Sequence, residues 1–135
     1  MAASACPMEL PRVDANVKEA QLELEVAATP EARNCGLSRR TSLSENHGML
    51  FVVPDPIILD FWMRDTHLPL SIAFVNDGGR ILSIQAMQPM QTRQHYRSPE
   101  PVPYAIEVNR GWFAEHGIGV GDIITLQLPR TLIAR

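Results

Sequence analysis

The feature that most constrains the fold is a turn signal, Asn76-Asp77-Gly78-Gly79, between two short and mostly apolar segments. Glycine adopts left-handed backbone conformations without a steric penalty, and tight hairpin turns require such conformations. The flanking segments, 70–75 and 81–87, have the length of strands rather than of typical helices. We therefore predict a β-hairpin, with Asp77-Gly78-Gly79 supplying a left-handed turn.

Other parts of the chain also have the pattern of strands. Apolar and polar residues alternate over 21–27 and 102–109, with Glu107 and Asn109 on the face opposite Tyr104. The apolar run 49–53 fits a buried strand that Pro54-Asp55-Pro56 is expected to break. The predicted strands are 21–27, 49–53, 57–63, 70–75, 81–87, 102–109 and 121–128.

Two short helices are predicted between these strands. The first begins at Thr29-Pro30-Glu31, which combines a hydroxyl cap, a proline and an acid, and it ends at Gly36. The second spans 111–116. Residues 88–101 contain three prolines and no periodicity, which predicts a long loop.

These elements predict a mainly β fold, α+β only at the margin. We expect a single-domain antiparallel β sandwich or barrel with two short helices, over residues 20–135. Residues 1–19 are predicted to form an N-terminal arm or an early edge strand.

Composition excludes several classes of function. A length of 135 residues fits one domain, and a net charge of −3 argues against a nucleic-acid partner. The longest apolar run is too short to form a transmembrane segment. The four histidines have no metal-ligand spacing, and no nucleotide-binding or nucleophile motif occurs, so neither a metal nor a cofactor is predicted.

The two cysteines, Cys6 and Cys35, leave two alternatives open: one bridge in an oxidising compartment, or two separate thiols. The small residues Ala3-Ser4-Ala5 before Cys6 are typical of the region around a signal-cleavage site. They fit an exported, periplasmic protein whose signal peptide is absent from this chain, or a lipid anchor at Cys6. An ordinary N-terminus of a cytoplasmic protein explains them equally.

Four motifs follow one another in the chain: GLSRRTSL (36–43), HGMLF (47–51), FWMRDTHLPLSIAF (61–74) and YAIEVNRGWFAEHGIGVGD (104–122). Together they resemble the bacterial and archaeal domain-of-unknown-function family 192, also called uncharacterised protein family 0127. The resemblance covers roughly residues 20–128 and implies a mostly β, jelly-roll-like fold. It also implies export and a match of Arg40 to the family's arginine, but it implies no reaction.

Two positions depart from the family pattern. Asp65 stands where the family usually has Asn, and Ser71 stands where it usually has Asp. One carboxylate has thus moved across the connection 66–69. We expect Asp65 and Ser71 to face one cavity, also lined by Glu107 or Asn109. The alternative is that both residues only form turns.

The candidate site combines polar groups with aromatic walls. Glu107 and Asn109 precede the aromatic pair Trp112-Phe113, and an apolar wall would raise the pKa of the Glu107 carboxyl. The candidate ligand-binding residues are Arg40, Trp62, Asp65, Thr66, Ser71, Glu107, Asn109 and Trp112, and the candidate catalytic residues are Asp65 and Glu107. Each has a structural alternative: Trp62 as a core residue, Arg40 as a loop tether, and the others as turn or solvated strand residues.

Three functions follow from this candidate site. The first is an exported module that binds a small polar, saccharide-like ligand. The second is a hydrolase-type enzyme with Glu107 and Asp65 as its acid/base pair. The third is a structural or partner-binding module without a pocket. The sequence does not decide whether the protein is an enzyme, or its oligomeric state.

Overall fold

The computed structural model describes residues 6–129 and residue 132. Seven strands of this part of the chain form one curled sheet, in the order β6-β5-β8-β3-β2-β1-β9, and β4 and β7 pair separately. The elements are β1 (Arg12–Val17), β2 (Ala20–Ala27), α1 (Pro30–Cys35), β3 (His47–Ile57), β4 (Asp60–Phe61), β5 (Leu70–Val75), β6 (Ile81–Met87), β7 (Tyr96–Arg97), β8 (Val102–Asn109), α2 (Trp112–Glu115) and β9 (Ile124–Leu126).

The predicted mainly β single-domain class with two short helices is confirmed. One pairing differs from the antiparallel expectation, because β2 and β3 run parallel. Parallel neighbours need a crossover connection, and here the connection contains α1. This crossover places α1 over one face of the sheet.

Apolar side chains are buried on both faces of the sheet. We call the two clusters the α2-side core, which includes Trp112 and Phe113, and the α1-side core, which includes Ala32 and Leu37. Successive residues of a strand face opposite sides of the sheet. In β8, Ile106 therefore lies in the α2-side core and Ala105 in the α1-side core. The same alternation directs Glu107 towards α1.

The predicted helix signals around α1 are confirmed. Thr29 caps the helix, its side-chain oxygen accepting a hydrogen bond from the backbone N–H of Ala32 at 3.2 Å. Pro30 is the first residue of the helix, and Gly36 follows its end with a φ of 50°. These local signals place the end of α1 beside β3.

Several predicted boundaries are wrong. The expected break at Pro54-Asp55-Pro56 does not occur: β3 continues to Ile57. A register shift against β8 and the exposure of residues 54–56 accommodate the prolines, which cannot donate to a ladder. Of the predicted strand 57–63, Ile57 ends β3 and pairs with Val102, while Asp60–Phe61 forms β4, whose partner β7 lies within the predicted loop 88–101.

The two ends of the chain also differ from expectation. Residues 12–17, expected in an arm or an edge strand, form β1, which lies between β2 and β9 in the sheet. The last predicted strand, 121–128, is reduced to Ile124–Leu126, while Ile123 forms an isolated bridge with Arg80. The small residues Ala3-Ser4-Ala5 lie outside the described residues.

Cys6 and Cys35 form a disulfide, with their Cα atoms 5.4 Å apart. This resolves the alternatives left open by the sequence. A lipid anchor of the thioether type would need the same Cys6 sulfur, so the bridged protein cannot carry one there. The following residues, Met8 and Leu10, pack against the α1-side core. Over the described residues, no helix combines the length and the apolar character needed to cross a bilayer.

The predicted hairpin forms between β5 and β6. The Asn76 side-chain oxygen accepts hydrogen bonds from the backbone of Gly78 at 3.1 Å and of Arg80 at 2.9 Å. Gly79 has a φ of 86°, in the left-handed region, whereas Gly78 does not have a positive φ. The left-handed conformation of the turn therefore depends on one glycine rather than two.

Alanine substitutions should distinguish these two glycines. A Cβ on Gly79 would lie 2.3 Å from the carbonyl oxygen of Ile124, whereas one on Gly78 would lie 3.5 Å from its nearest neighbour, Asn76. We expect Gly79→Ala to lower the free energy of unfolding by about 1–2 kcal/mol. Gly78→Ala should change it by less than about 0.5 kcal/mol. Urea unfolding measures both variants, and equal losses would contradict this assignment.

Candidate functional site

Glu107 occupies a central position in the sheet. It pairs with Met49 of β3 on one side and Ile72 of β5 on the other, and both neighbours belong to the α1-side core. Only 5% of its surface is exposed. Among the described residues, none forms a hydrogen bond or an ion pair with its carboxyl. The carboxyl oxygens are not completely enclosed, because the fully buried side-chain atom without a partner in the described part of the chain is Arg40 Nε.

Burial raises the pKa of the Glu107 carboxyl to about 8. Desolvation disfavours the charged form, and no cation among the described residues offsets it, so the carboxyl is mostly protonated at neutral pH. The sequence predicted this direction but attributed it to Trp112 and Phe113. These two residues lie in the α2-side core, and the aromatic residues that share a cavity with Glu107 are Phe51, Phe61 and Trp62.

The carboxyl lines a cavity of about 380 Å³, which we call the Glu107 pocket. Its walls come from the end of α1, the middle of β3, β4 with its flanking residues, and Thr66. The complete lining is 33–37, Phe51, Val53, 57–63, Thr66 and Glu107. The pocket therefore exposes apolar and polar surface in similar amounts, and its polar groups include one buried carboxyl.

The outer part of the pocket has large exposed apolar side chains. Ile57, Ile58 and Trp62 are 49%, 47% and 46% exposed. The ring centroids of Trp62 and His95 lie 5.8 Å apart. The Arg64 guanidinium lies 5.6 Å from the centroid of the Trp62 ring. Exposed apolar side chains clustered around a cavity are typical of binding surfaces.

The other charged groups of the pocket already have partners. The Asp60 carboxylate accepts hydrogen bonds from His95 at 2.8 Å and Arg97 at 3.0 Å. Burial opposes ionisation of Asp60, but these two partners outweigh it and lower the pKa of Asp60. Arg33 donates a hydrogen bond to the Val52 carbonyl at 2.8 Å.

The pocket brings together three of the predicted site residues: Trp62, Thr66 and Glu107. Thr66 is buried and its hydroxyl donates to the Arg64 carbonyl at 3.0 Å, leaving its oxygen lone pairs as acceptors. Trp62 is half exposed rather than a core residue.

Arg40 and Asn109 hold the connection between α1 and β3. The Arg40 guanidinium forms two hydrogen bonds with the Glu25 carboxylate, at 2.5 Å and 2.9 Å. The Asn109 side chain donates to the Leu43 carbonyl at 2.8 Å. Both contacts correspond to the tethering role that was the structural alternative, and neither side chain lines the Glu107 pocket.

Ser71 and Trp112 take part in contacts away from the pocket. Trp112 lies in the α2-side core, and its indole N–H donates to the Asn46 side chain at 2.9 Å. The Ser71 hydroxyl accepts a hydrogen bond from the backbone N–H of Gly111 at 3.1 Å. Ile72 pairs with Glu107 and lies on the same face of the sheet. Ser71 precedes Ile72 in the strand, so its side chain points to the opposite face of the sheet.

The expected shared cavity of Asp65 and Ser71 is not formed. Asp65 is exposed, has a φ of 53° and lies 4.0 Å from Arg39 in a surface ion pair. Asn and Asp are the residues other than glycine that enter this backbone region most readily, so an exchange between them fits a turn position. The geometry favours the turn alternative for Asp65.

The sequence interpretation missed several residues of the pocket. The sequence predicts a regular strand at Asp60 and Phe61, whereas they form a short ladder that closes one side of the cavity. No role is predicted for Arg33 and Leu37, because nothing local indicates that α1 lies on the same face of the sheet as Glu107. The ring centroids of Phe51 and Phe61 lie 4.9 Å apart, a contact between distant segments that the sequence pattern does not show.

A second, more open groove of about 930 Å³ lies beside the turn between β1 and β2. It is lined mainly by polar residues. Lys18 donates to the Gly117 carbonyl at 2.6 Å and lies 3.4 Å from the Asp122 carboxylate. His47 lies 3.7 Å from Glu23. Because these charged groups are paired and exposed, the Glu107 pocket is the stronger candidate.

Two solved structures resemble this chain closely. A protein from Sinorhizobium meliloti 1021, described as a candidate transcription regulator, is 29% identical with a TM-score of 0.83, covering 88% of this chain and 96% of that one. A protein of unknown function from Novosphingobium aromaticivorans DSM 12444 is 28% identical with a TM-score of 0.77, covering 93% and 96%. A comparison with curated proteins returned no significant match.

The family comparison covers most of the strands described above. The family model for DUF192, described as "Uncharacterized ACR", matches residues 12–126. This range includes both strands of the hairpin, the crossover helix and Glu107. The chain therefore belongs to the DUF192 family.

Proposed function

We propose that this protein binds a small organic ligand in the Glu107 pocket, with the buried carboxyl as its main polar contact. One observation carries the proposal: a carboxyl only 5% exposed lines a cavity and has no hydrogen-bond partner among the described residues. Leaving a buried polar group unpaired costs about 1–3 kcal/mol. A ligand that supplies the missing hydrogen bond would recover part of this cost.

The size and the lining of the pocket support this function. A volume of about 380 Å³ lies in the range of small-molecule sites, which combine apolar walls with a few polar groups. The exposed Ile57, Ile58 and Trp62 offer additional apolar contact to a bound molecule.

The geometry gives less support to an acid/base enzyme or to a saccharide ligand. Asp65 does not line the pocket, so the proposed pairing of Glu107 with Asp65 lacks its second group. A saccharide carries many hydroxyl groups, each of which needs a partner when it is buried. Asp60 and Thr66 already have partners among the described residues, which leaves few groups to bind many hydroxyls.

The disulfide supports the further proposal that the protein works in an oxidising, extracytoplasmic compartment. The Cys6–Cys35 bridge is of the kind that persists there and that cytosolic thiol systems reduce. The alternative compartment is the cytoplasm, where thiol systems would reduce the bridge. Quantifying free thiols in the protein isolated from its native cells would separate the two.

A fragment screen by nuclear magnetic resonance tests the ligand-binding function. We expect fragments with one polar group to shift the backbone amide signals of Gly36, Thr66 and Glu107. Glu107→Leu keeps the side-chain volume but removes the carboxyl, and it should weaken these fragments by at least about tenfold. Glu100→Leu, which changes an exposed residue outside the pocket, is the matched control.

Two outcomes of this screen would refute the proposed function. In one, no fragment shifts the pocket signals of the folded protein. In the other, Glu107→Leu and Glu100→Leu bind the polar fragments as well as the unchanged protein does. Purely apolar fragments should bind Glu107→Leu as they bind the unchanged protein, and this binding would show that the variant still has its pocket.

A further inference from the structure

We infer that the ligand of the Glu107 pocket carries one ammonium group on an apolar body, and that this ammonium pairs with the Glu107 carboxyl. The inference rests on the proposed function, because it names the chemical class of the ligand for the same pocket. Three features of the pocket support it: its charged groups, its aromatic residues and the apolar strands around Glu107.

One ionisable group of the pocket has no partner among the described residues. The ionisable side chains that line the pocket there are Arg33, Asp60 and Glu107. Asp60 is paired with His95 and Arg97, and Arg33 donates to a backbone carbonyl. Within the described part of the chain, the Glu107 carboxyl has neither a hydrogen-bond donor nor an ion-pair partner, so a cationic donor on a ligand would complement it.

The aromatic residues of the pocket also favour a cation. Phe51, Phe61 and Trp62 line the same cavity as Glu107. Aromatic rings attract cations electrostatically, and Trp62 already lies within 5.6 Å of the Arg64 guanidinium. An anionic ligand would lose this attraction to the rings, and above about pH 8 it would also meet the ionised Glu107 carboxyl as a like charge.

The sheet around Glu107 is apolar, because its neighbours on the adjacent strands, Met49 and Ile72, both belong to the α1-side core. An alkyl or aryl body would lie against the apolar walls, and one ammonium would meet one carboxylate. A neutral alcohol could also hydrogen-bond there, but it would not gain the attraction between opposite charges.

Proton linkage separates these two chemistries. The carboxyl, whose pKa is raised to about 8, must lose its proton to pair with an ammonium. The affinity for an amine should therefore increase by up to about tenfold per pH unit below 8 and level off above it. Amines of the lysine type stay protonated to about pH 10. The affinity for an alcohol should not increase with pH.

Three probes with the same body test the inference: hexylamine, hexanol and hexanoate, titrated into the full chain by calorimetry at pH 7 and pH 9. We expect hexylamine to bind most tightly, with an affinity about tenfold higher at pH 9 than at pH 7. Glu107→Gln keeps the shape and a hydrogen-bonding amide, and it should lower the affinity for hexylamine by at least about tenfold at pH 9. The same variant should bind hexanol as the unchanged protein does.

Asp60→Asn provides the matched control, since it removes the other carboxylate of the pocket. If Asp60→Asn weakens hexylamine as strongly as Glu107→Gln does, the ammonium pairs with Asp60 and the inference is wrong. It is also wrong if hexanol or hexanoate binds as tightly as hexylamine at pH 9, or if hexylamine does not bind. Each of these outcomes contradicts the ammonium inference only. If fragments still bind in the pocket in the screen described above, the proposed ligand-binding function stands.

Discussion

Replacing Glu107 by glutamine is expected to raise the free energy of unfolding by roughly 5 kcal/mol at pH 9 and to change it by less than about 1 kcal/mol at pH 4. The pKa of this carboxyl is about 8 in the folded protein, against an ordinary value of 4.5. Between these values the folded protein holds a proton that the unfolded chain has lost. The stability of the unchanged protein therefore falls as pH rises from about 4.5 to about 8, and glutamine removes this loss.

Urea unfolding at several pH values between 4 and 9 measures this effect. Glu100→Gln is the matched control, because it removes an exposed carboxylate and should leave the pH profile close to that of the unchanged protein. Parallel profiles for Glu107→Gln and the unchanged protein would show that Glu107 ionises normally in the folded state. That result would also remove the proton linkage expected for amine binding.

Loss of the disulfide is expected to lower the free energy of unfolding by about 3–4 kcal/mol. Cys6 and Cys35 are separated by 29 residues, so the bridge restricts a long loop in the unfolded chain. For a domain of this size the melting temperature should fall by about 10 °C. Differential scanning calorimetry of the unchanged protein with and without a thiol reductant measures the change.

The double variant Cys6→Ala/Cys35→Ala is the control for this measurement. It should melt near the temperature of the reduced protein and should not respond to the reductant. If reduction leaves the melting temperature of the unchanged protein where it was, the bridge contributes little to stability. The apolar contacts of Met8 and Leu10 with the α1-side core would then be sufficient to keep the N-terminal segment in place.

The local features of the fold were predictable because neighbouring residues determine them. The start and the end of α1 are determined by Thr29, Pro30 and Gly36. The alternation in 102–109 predicts a strand in which Glu107 faces the side opposite to its apolar neighbours in sequence. The turn between β5 and β6 follows from its glycines, although only Gly79 has the left-handed conformation. Each of these signals acts over a few residues.

The candidate site was only partly predictable. Glu107, Trp62 and Thr66 share the pocket as the sequence analysis expected, whereas Asp65 and Ser71 do not join them. The expectation for these two assumed that closeness in sequence brings side chains to one face. A residue in a strand points away from its immediate neighbours, and a turn residue such as Asp65 points where its backbone conformation directs it.

By itself the sequence determined the class of the fold, the helix α1, the hairpin and the face on which Glu107 lies relative to its neighbours in β8. Only the tertiary structure decided that β2 and β3 pair in parallel, that α1 covers the face with Glu107, and that β4 pairs with β7 beside it. The physical reason is that strand order and register depend on burial and pairing between distant segments, and no local pattern encodes them. The unpaired carboxyl in the Glu107 pocket is a product of that long-range arrangement.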